Sequence, residues 1–226
     1  MSCAIGGSFR RIGRIYESGD LLAVDKPEGM ACIPTRAAGS DSVLGRLKAE
    51  LGEGLFVVHR LDTETSGVLV FARNAVMHRW LSMQFEGRGV RKEYLALVHG
   101  RLESDRGSIE APLRVFGSGR VGVDQARGKP CVTEYEVLSA VGAFSLLSVK
   151  PLTGRQHQIR AHLYSTGHPV VGDRKYGERK LQETFPRTML HALRIDLPMP
   201  DGSRLVLESP LPPSFASVLN GRGEGR

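Results

Sequence analysis

Cysteine is scarce in this 226-residue chain: Cys3, Cys32 and Cys131 lie far apart, with no C-x-x-C among them. That pattern suggests neither a zinc ribbon nor a thioredoxin-type site. So sparse and odd a count points to a reducing compartment. Long apolar runs are missing too. None reaches the length needed to cross a bilayer, and the first residues lack the apolar core of a secretory signal. The expected location is the cytoplasm, with no membrane partner. Nor is there a long linker, an internal repeat or a low-complexity block. One folded unit is expected, and a chain of this length buries most of its apolar surface without staples.

The common cofactor signatures are absent or broken. Residues 117–122, GSGRVG, match G-x-G-x-x-G, but Gly128 and Pro130 follow too soon for the helix that would hold a pyrophosphate. We read this stretch as a loop. Gly128-Lys129 is followed by Pro130, where a P-loop needs Ser or Thr. There is no H-E-x-x-H or G-x-S-x-G, and His157 and His162 are wrongly spaced to ligate one metal from one helical face. No cofactor and no metal are expected.

What the chain does have is positive charge. Its formal net charge is +7 and its pI about 9.6, which biases it toward polyanions. Arg10, Arg11 and Arg14 precede the first acid, Glu17, so residues 1–14 read as a flexible basic arm and 220–226 as a flexible tail. Between them, strands are expected over 21–24, 68–72, 92–98, 132–138, 144–150, 190–197 and 204–208. Asp41 or Ser42 caps a helix with Val43, Leu44, Leu47 and Leu51 on one face. Asn74 caps a second, with Val76, Trp80 and Met83 inward and Gly87 as its stop. Thr153-Gly154-Arg155-Gln156 matches a capping box for a third, ended by Gly167. Strands joined by short turns, with few helices, predict an α+β fold with a mainly antiparallel sheet.

Two stretches carry chemistry. In HRLDTETSG, residues 59–67, Asp62 stands at the break between two apolar runs. Alone it reads best as a turn residue accepting backbone N–H bonds. Between buried strands it must also be paired, and a carboxylate held ionised by an arginine can act as a nucleophile. The second stretch crowds Arg155, His157, Gln158, Arg160 and His162 into two turns. So dense a set of donors suits phosphates and base edges.

HRLDTETSG, KEYLALVHG, PLTGRQHQIRAHLYSTGHPVVGD and LHALRIDLP occur in this order, with IYESGDLLAVDKPEGM upstream. Together they resemble the RluA family of pseudouridine synthases over about residues 15–210. The resemblance implies that family's fold: a mixed, mainly antiparallel sheet with flanking helices and a central catalytic cleft, here over residues 15–219, with no accessory N-terminal RNA-binding domain. It implies a monomeric isomerase acting on structured RNA, a ribosomal or transfer RNA stem-loop, without cofactor. Asp62 matches the catalytic aspartate, which attacks uracil C6 or ribose C1′ or takes a ribose 2′ proton. Tyr94 matches the active-site tyrosine, and Arg160 the arginine that pairs with the aspartate, with Arg155 as the rival. Arg60 is placed to fill the gap left by a flipped base or to hold a phosphate. Lys26, Arg155, His157 and Gln158 become phosphate or loop contacts, and Ile159 and Leu190 apolar walls for uracil. Two rival readings remain: an RNA-binding module without catalysis, and a small-molecule hydrolase using Asp62.

Overall fold

The computed structural model describes residues 12–35 and 41–223. Twelve strands and five helices run in this order: β1 (Gly13–Glu17), β2 (Leu21–Lys26), α1 (Val43–Leu51), β3 (Phe56–Val57), β4 (Ser66–Ala72), α2 (Ala75–Glu86), β5 (Arg91–His99), β6 (Arg106–Glu110), β7 (Leu113–Val115), β8 (Val121–Val123), β9 (Val132–Val141), β10 (Phe144–Pro151), α3 (Gln158–Ser165), α4 (Arg179–Gln182), β11 (Leu190–Pro198), β12 (Arg204–Glu208) and α5 (Pro213–Gly223). One sheet takes the order β1-β2-β4-β11-β5-β10-β9-β6, with β12 beside β11 and β3 beside β4; β7 and β8 form a separate hairpin. All its ladders are antiparallel except β4–β11. Most of the basic arm expected over 1–14 lies outside the described residues, and β1 already begins at Gly13. Regular structure also runs past residue 219, because α5 continues to Gly223.

The alternation along β2 and β4 builds a core on both sheet faces. Leu22, Val24, Leu69 and Phe71 pack with Val43 and Leu47 of α1. Leu21, Ala23, Val68 and Val70 face the other way, onto Met77 and Leu81 of α2. Beyond β11, Leu147 and Val149 of β10 pack with Ile159 and Leu163 of α3 and Phe215 of α5. Burying each Leu, Val or Phe stabilises by about 1.5–3 kcal/mol. Two helix expectations need correction. In α2 Met77 and Leu81 are buried and Trp80 packs beside them as expected, whereas Val76 is 80% and Met83 58% exposed. Asn74 does cap that helix, through Met77 N. Helix α3 begins at Gln158, not near Thr153, and its N-cap is His157 in the left-handed region with no side-chain cap bond. The Gln158 side chain displaces the capping box: its Oε1 accepts from Thr153 Oγ1 at 2.7 Å and from Arg155 N at 3.0 Å.

The parallel junction explains one glycine. Gly67 lies opposite Ala192, at φ +116°, and a Cβ there would sit 2.2 Å from Ala192 O. Left-handed strain alone is about 1–2 kcal/mol, and the clash with backbone adds to it. Gly67→Ala is therefore expected to lose at least about 2 kcal/mol, read from the midpoint of chemical denaturation. A midpoint within error of wild type would show that the two strands slide apart freely.

Candidate active site

Asp62 sits on the loop that leads from β3 into β4. Three buried fixtures hold that loop. Lys26 is fully buried, and its ammonium donates to Pro27 O (2.8 Å), Met30 O (2.7 Å) and Thr63 O (3.0 Å). Burial nonetheless pulls its pKa down to about 8. Cys32 Sγ donates to Leu61 O and accepts from Leu61 N, both at 3.2 Å. Thr65 N closes the turn onto Asp62 O at 3.1 Å. Backbone therefore closes this turn, and the Asp62 carboxylate points elsewhere.

It points at Arg160. Nη1 of Arg160 donates to Asp62 Oδ2 at 2.9 Å and to Glu64 Oε2 at 3.3 Å. The other edge of the guanidinium forms a two-pronged pair with Asp173, Nε to Oδ2 at 2.6 Å and Nη2 to Oδ1 at 2.8 Å. Arg160 is 2% exposed and Asp173 is fully buried. Burial opposes the arginine's charge, but the bonds to Asp173 and Asp62 outweigh it and push its pKa up. Asp173 is itself seated by backbone N–H groups of Lys175 and Tyr176. The preceding Gly172, at φ +76°, passes so close to Arg187 that a Cβ would meet its carbonyl oxygen at 1.8 Å. Arg155 is exposed and makes no bond to Asp62, so the pairing falls to Arg160.

Asp62, Glu64 and Arg160 line a cleft of about 1060 Å³. Tyr94, Ile159, Leu190, Arg60, Arg155 and His157 all line it. Burial first, then the Asp62 charge, drives the Tyr94 pKa up, so its phenol stays protonated near neutral pH. Two expected contacts need correction. All three Lys26 protons go to carbonyls, so it holds the loop and has none left for a phosphate. Gln158 lines the cleft but is 4% exposed, its amide spent on Thr153, Arg155 N, Val132 O and Thr133. It braces the loop rather than presenting a free donor. The sequence reading missed Asp173, Tyr176 and Lys92. Lys92 lines the cleft and bonds Thr153 O at 3.1 Å.

Two other pairs are struts. Ser66 Oγ lies 2.8 Å from His191 Nδ1, but both residues are at most 1% exposed, and Arg187 Nη2 donates to the same oxygen. A buried hydroxyl already so occupied is no nucleophile. His59 Nε2 accepts from Val70 N at 3.0 Å, and its ring stacks on Phe85. Burial, with a smaller contribution from Lys92, lowers its pKa to about 3. Between pH ~6.5 and that value the unfolded chain holds the extra proton, so stability falls as the medium is acidified. His59→Gln keeps an acceptor for Val70 N. Between pH 7 and pH 4.5 its denaturation midpoint is expected to drop less than that of wild type. Equal drops would place the proton uptake elsewhere.

Among the described residues no group of three or more His, Cys, Asp or Glu is placed to hold a metal, and no helix is long and apolar enough to cross a membrane.

Residues 20–165 match the family model described as RNA pseudouridylate synthase. Ribosomal large subunit pseudouridine synthase D of Nitrosomonas europaea is 36% identical over 224 residues; the match covers 91% of this chain and 63% of that protein. Dual-specificity RNA pseudouridine synthase RluA of Haemophilus influenzae is 36% identical over 190 residues, covering 82% of this chain and 86% of that one. Among solved structures, human RNA pseudouridylate synthase domain containing 1 superposes with a TM-score of 0.79 at 32% identity, covering 92% of this chain and 88% of that chain. With most of its length matched by the family model and by these relatives, the chain belongs to the RNA pseudouridylate synthase family.

Proposed function

We propose that this chain isomerises uridine in structured RNA to pseudouridine, with Asp62 as the catalytic residue. The observation that carries this reading is the asymmetry of the Asp62 carboxylate. Arg160 holds Oδ2 at 2.9 Å, while Oδ1 has no hydrogen-bond partner within the protein among the described residues and the side chain keeps 22% of its exposure. One oxygen is fixed and the other is open to a reactant. The reaction breaks the bond from C1′ to uracil N1, forms one from C1′ to C5, and releases the C5 proton. Attack at C6, attack at C1′ and removal of the 2′ proton all begin at such an oxygen.

The remaining lining suits a nucleotide taken out of its stack. A volume of about 1060 Å³ lies at the upper end of small-ligand pockets, roughly 300–1,000 Å³, which leaves room for a base, its ribose and flanking phosphates. Tyr94, Ile159 and Leu190 supply apolar contact for the uracil, and the Tyr94 hydroxyl a donor. Arg60 and Arg155 are exposed at the cleft and carry the phosphate contacts, with Lys175 beside them. No cofactor enters the scheme. The substrate we propose is a stem-loop of ribosomal or transfer RNA, met in the cytoplasm by a monomer. Pseudouridine mapping of RNA from cells with and without this protein tests the reading. Specific sites are expected to lose pseudouridine in its absence. An unchanged map would favour the alternative, an RNA-binding module.

A further inference from the structure

His157 stands out on backbone grounds. It is a non-glycine residue at φ 49°, ψ 23°, directly before α3, a region that disfavours L side chains. The side chain is 11% exposed. Its ring lies edge-on to Tyr176, with the planes at 87°. His157 Nδ1 is 3.0 Å from Tyr176 Oη, and Nε2 is 3.9 Å from Asp62 Oδ1, the oxygen that Arg160 does not hold.

The tautomer follows from Tyr176. That residue is fully buried, and its hydroxyl oxygen accepts from Val121 N at 3.1 Å. The hydroxyl proton then has one acceptor among the described residues, His157 Nδ1. A ring that accepts at Nδ1 carries its own proton at Nε2. Tyr176 is anchored on its face as well, with the Arg160 guanidinium 5.3 Å from the ring centre.

We propose that Tyr176 and His157 are positioning residues for Asp62: the tyrosine hydroxyl fixes the imidazole with its N–H at Nε2, and that N–H orients the free carboxylate oxygen. This rests on the proposed role of Asp62. At 3.9 Å the contact is electrostatic rather than a hydrogen bond, and such contacts tighten when substrate binds. The groups around the ring favour neutrality. Burial is the largest influence and lowers its pKa; Arg160 and Lys175 lower it too, against Asp62 and Glu64, which raise it. As pH falls and the ring takes a second proton, an imidazolium forms beside Oδ1 and competes for it as an ion pair, so the rate should fall.

His157→Asn is the test, because asparagine tolerates the left-handed backbone while removing the ring. Single-turnover pseudouridine formation is expected to fall at least about tenfold at pH 7. RNA affinity and the unfolding midpoint should change little, and the acid limb of the pH–rate profile should move to lower pH. A rate within about twofold of wild type across pH 5–8 would overturn the proposal. Tyr176→Phe keeps the ring but leaves Val121 N unpaired, so it risks instability. Nitrogen-15 NMR of the wild-type imidazole reads the tautomer without any turnover. A neutral ring protonated at Nε2 is expected, and a proton on Nδ1 at neutral pH overturns the relay. A wild type that forms no pseudouridine removes both readings, whereas an active wild type with an equally active His157→Asn removes this one alone.

Discussion

Arg160→Met is expected to lose about 3–5 kcal/mol of stability, the range for removing one partner of a buried ion pair. The reason is Asp173 more than Asp62. Asp62 keeps 22% of its side-chain exposure and can turn to water, whereas Asp173 is fully buried. Its carboxylate would keep only the backbone N–H groups of Lys175 and Tyr176. Methionine fills the volume of the arginine stem but supplies no donor. Typical domains have only about 5–15 kcal/mol to lose, so a marginal or aggregating protein is one expected form of this result. Asp173→Asn is the companion: it removes the buried charge while keeping an acceptor, and it should lose less than Arg160→Met in denaturant melts. If Arg160→Met melts like wild type, the buried pair is not a structural centre of the cleft.

Asp62→Asn is expected to behave in the opposite way, with a large kinetic loss on an intact fold. The amide has nearly the same shape, and its oxygen still accepts from Arg160 Nη1. The loop keeps its Lys26, Cys32 and Thr65 fixtures, none of which uses the Asp62 side chain. The negative charge and the oxygen proposed to react are gone. Single-turnover isomerisation should fall by several orders of magnitude, as when the bond-forming group is removed. RNA affinity should hold or rise slightly, because phosphate contacts dominate it and a repelling charge has left. A variant keeping more than about a tenth of the rate, a barrier change of only ~1.4 kcal/mol, would return Asp62 to a structural role.

The strands were legible because their alternation is local. Leu22 and Val24 face one side of the sheet and Leu21 and Ala23 the other, and each set met its helix. The inward face of α2 was legible only in part: Trp80 packs on the core beside Met77 and Leu81, but Val76 and Met83 point outward, because the Asn74 cap fixes where the helix starts but not how it is rotated. Short polar β6 and the small β7–β8 hairpin gave no periodic signal. The Thr153 cap failed because a side chain five residues on, Gln158, took the same turn. In the site, the Asp62–Arg160 pairing was available only through the resemblance, since 98 residues separate the partners. Asp173 lay in the quoted GHPVVGD segment, yet nothing local announced it. Its partner Arg160 and the Gly172 approach to Arg187 exist only once the sheet is assembled. Lys26 misled for a related reason: a cation near a cleft reads as a phosphate contact until three carbonyls claim its protons.

Release of tritium from RNA labelled at uracil C5, counted beside the pseudouridine formed, tests the central claim most directly, because the C5 proton must leave once the new bond to C1′ forms there. Purified wild-type protein incubated with labelled ribosomal and transfer RNA is expected to release tritium in step with pseudouridine recovered from the digested RNA, and Asp62→Asn to release almost none. Contradiction would take one of two forms: wild type that binds these RNAs without releasing tritium, or release that survives Asp62→Asn undiminished.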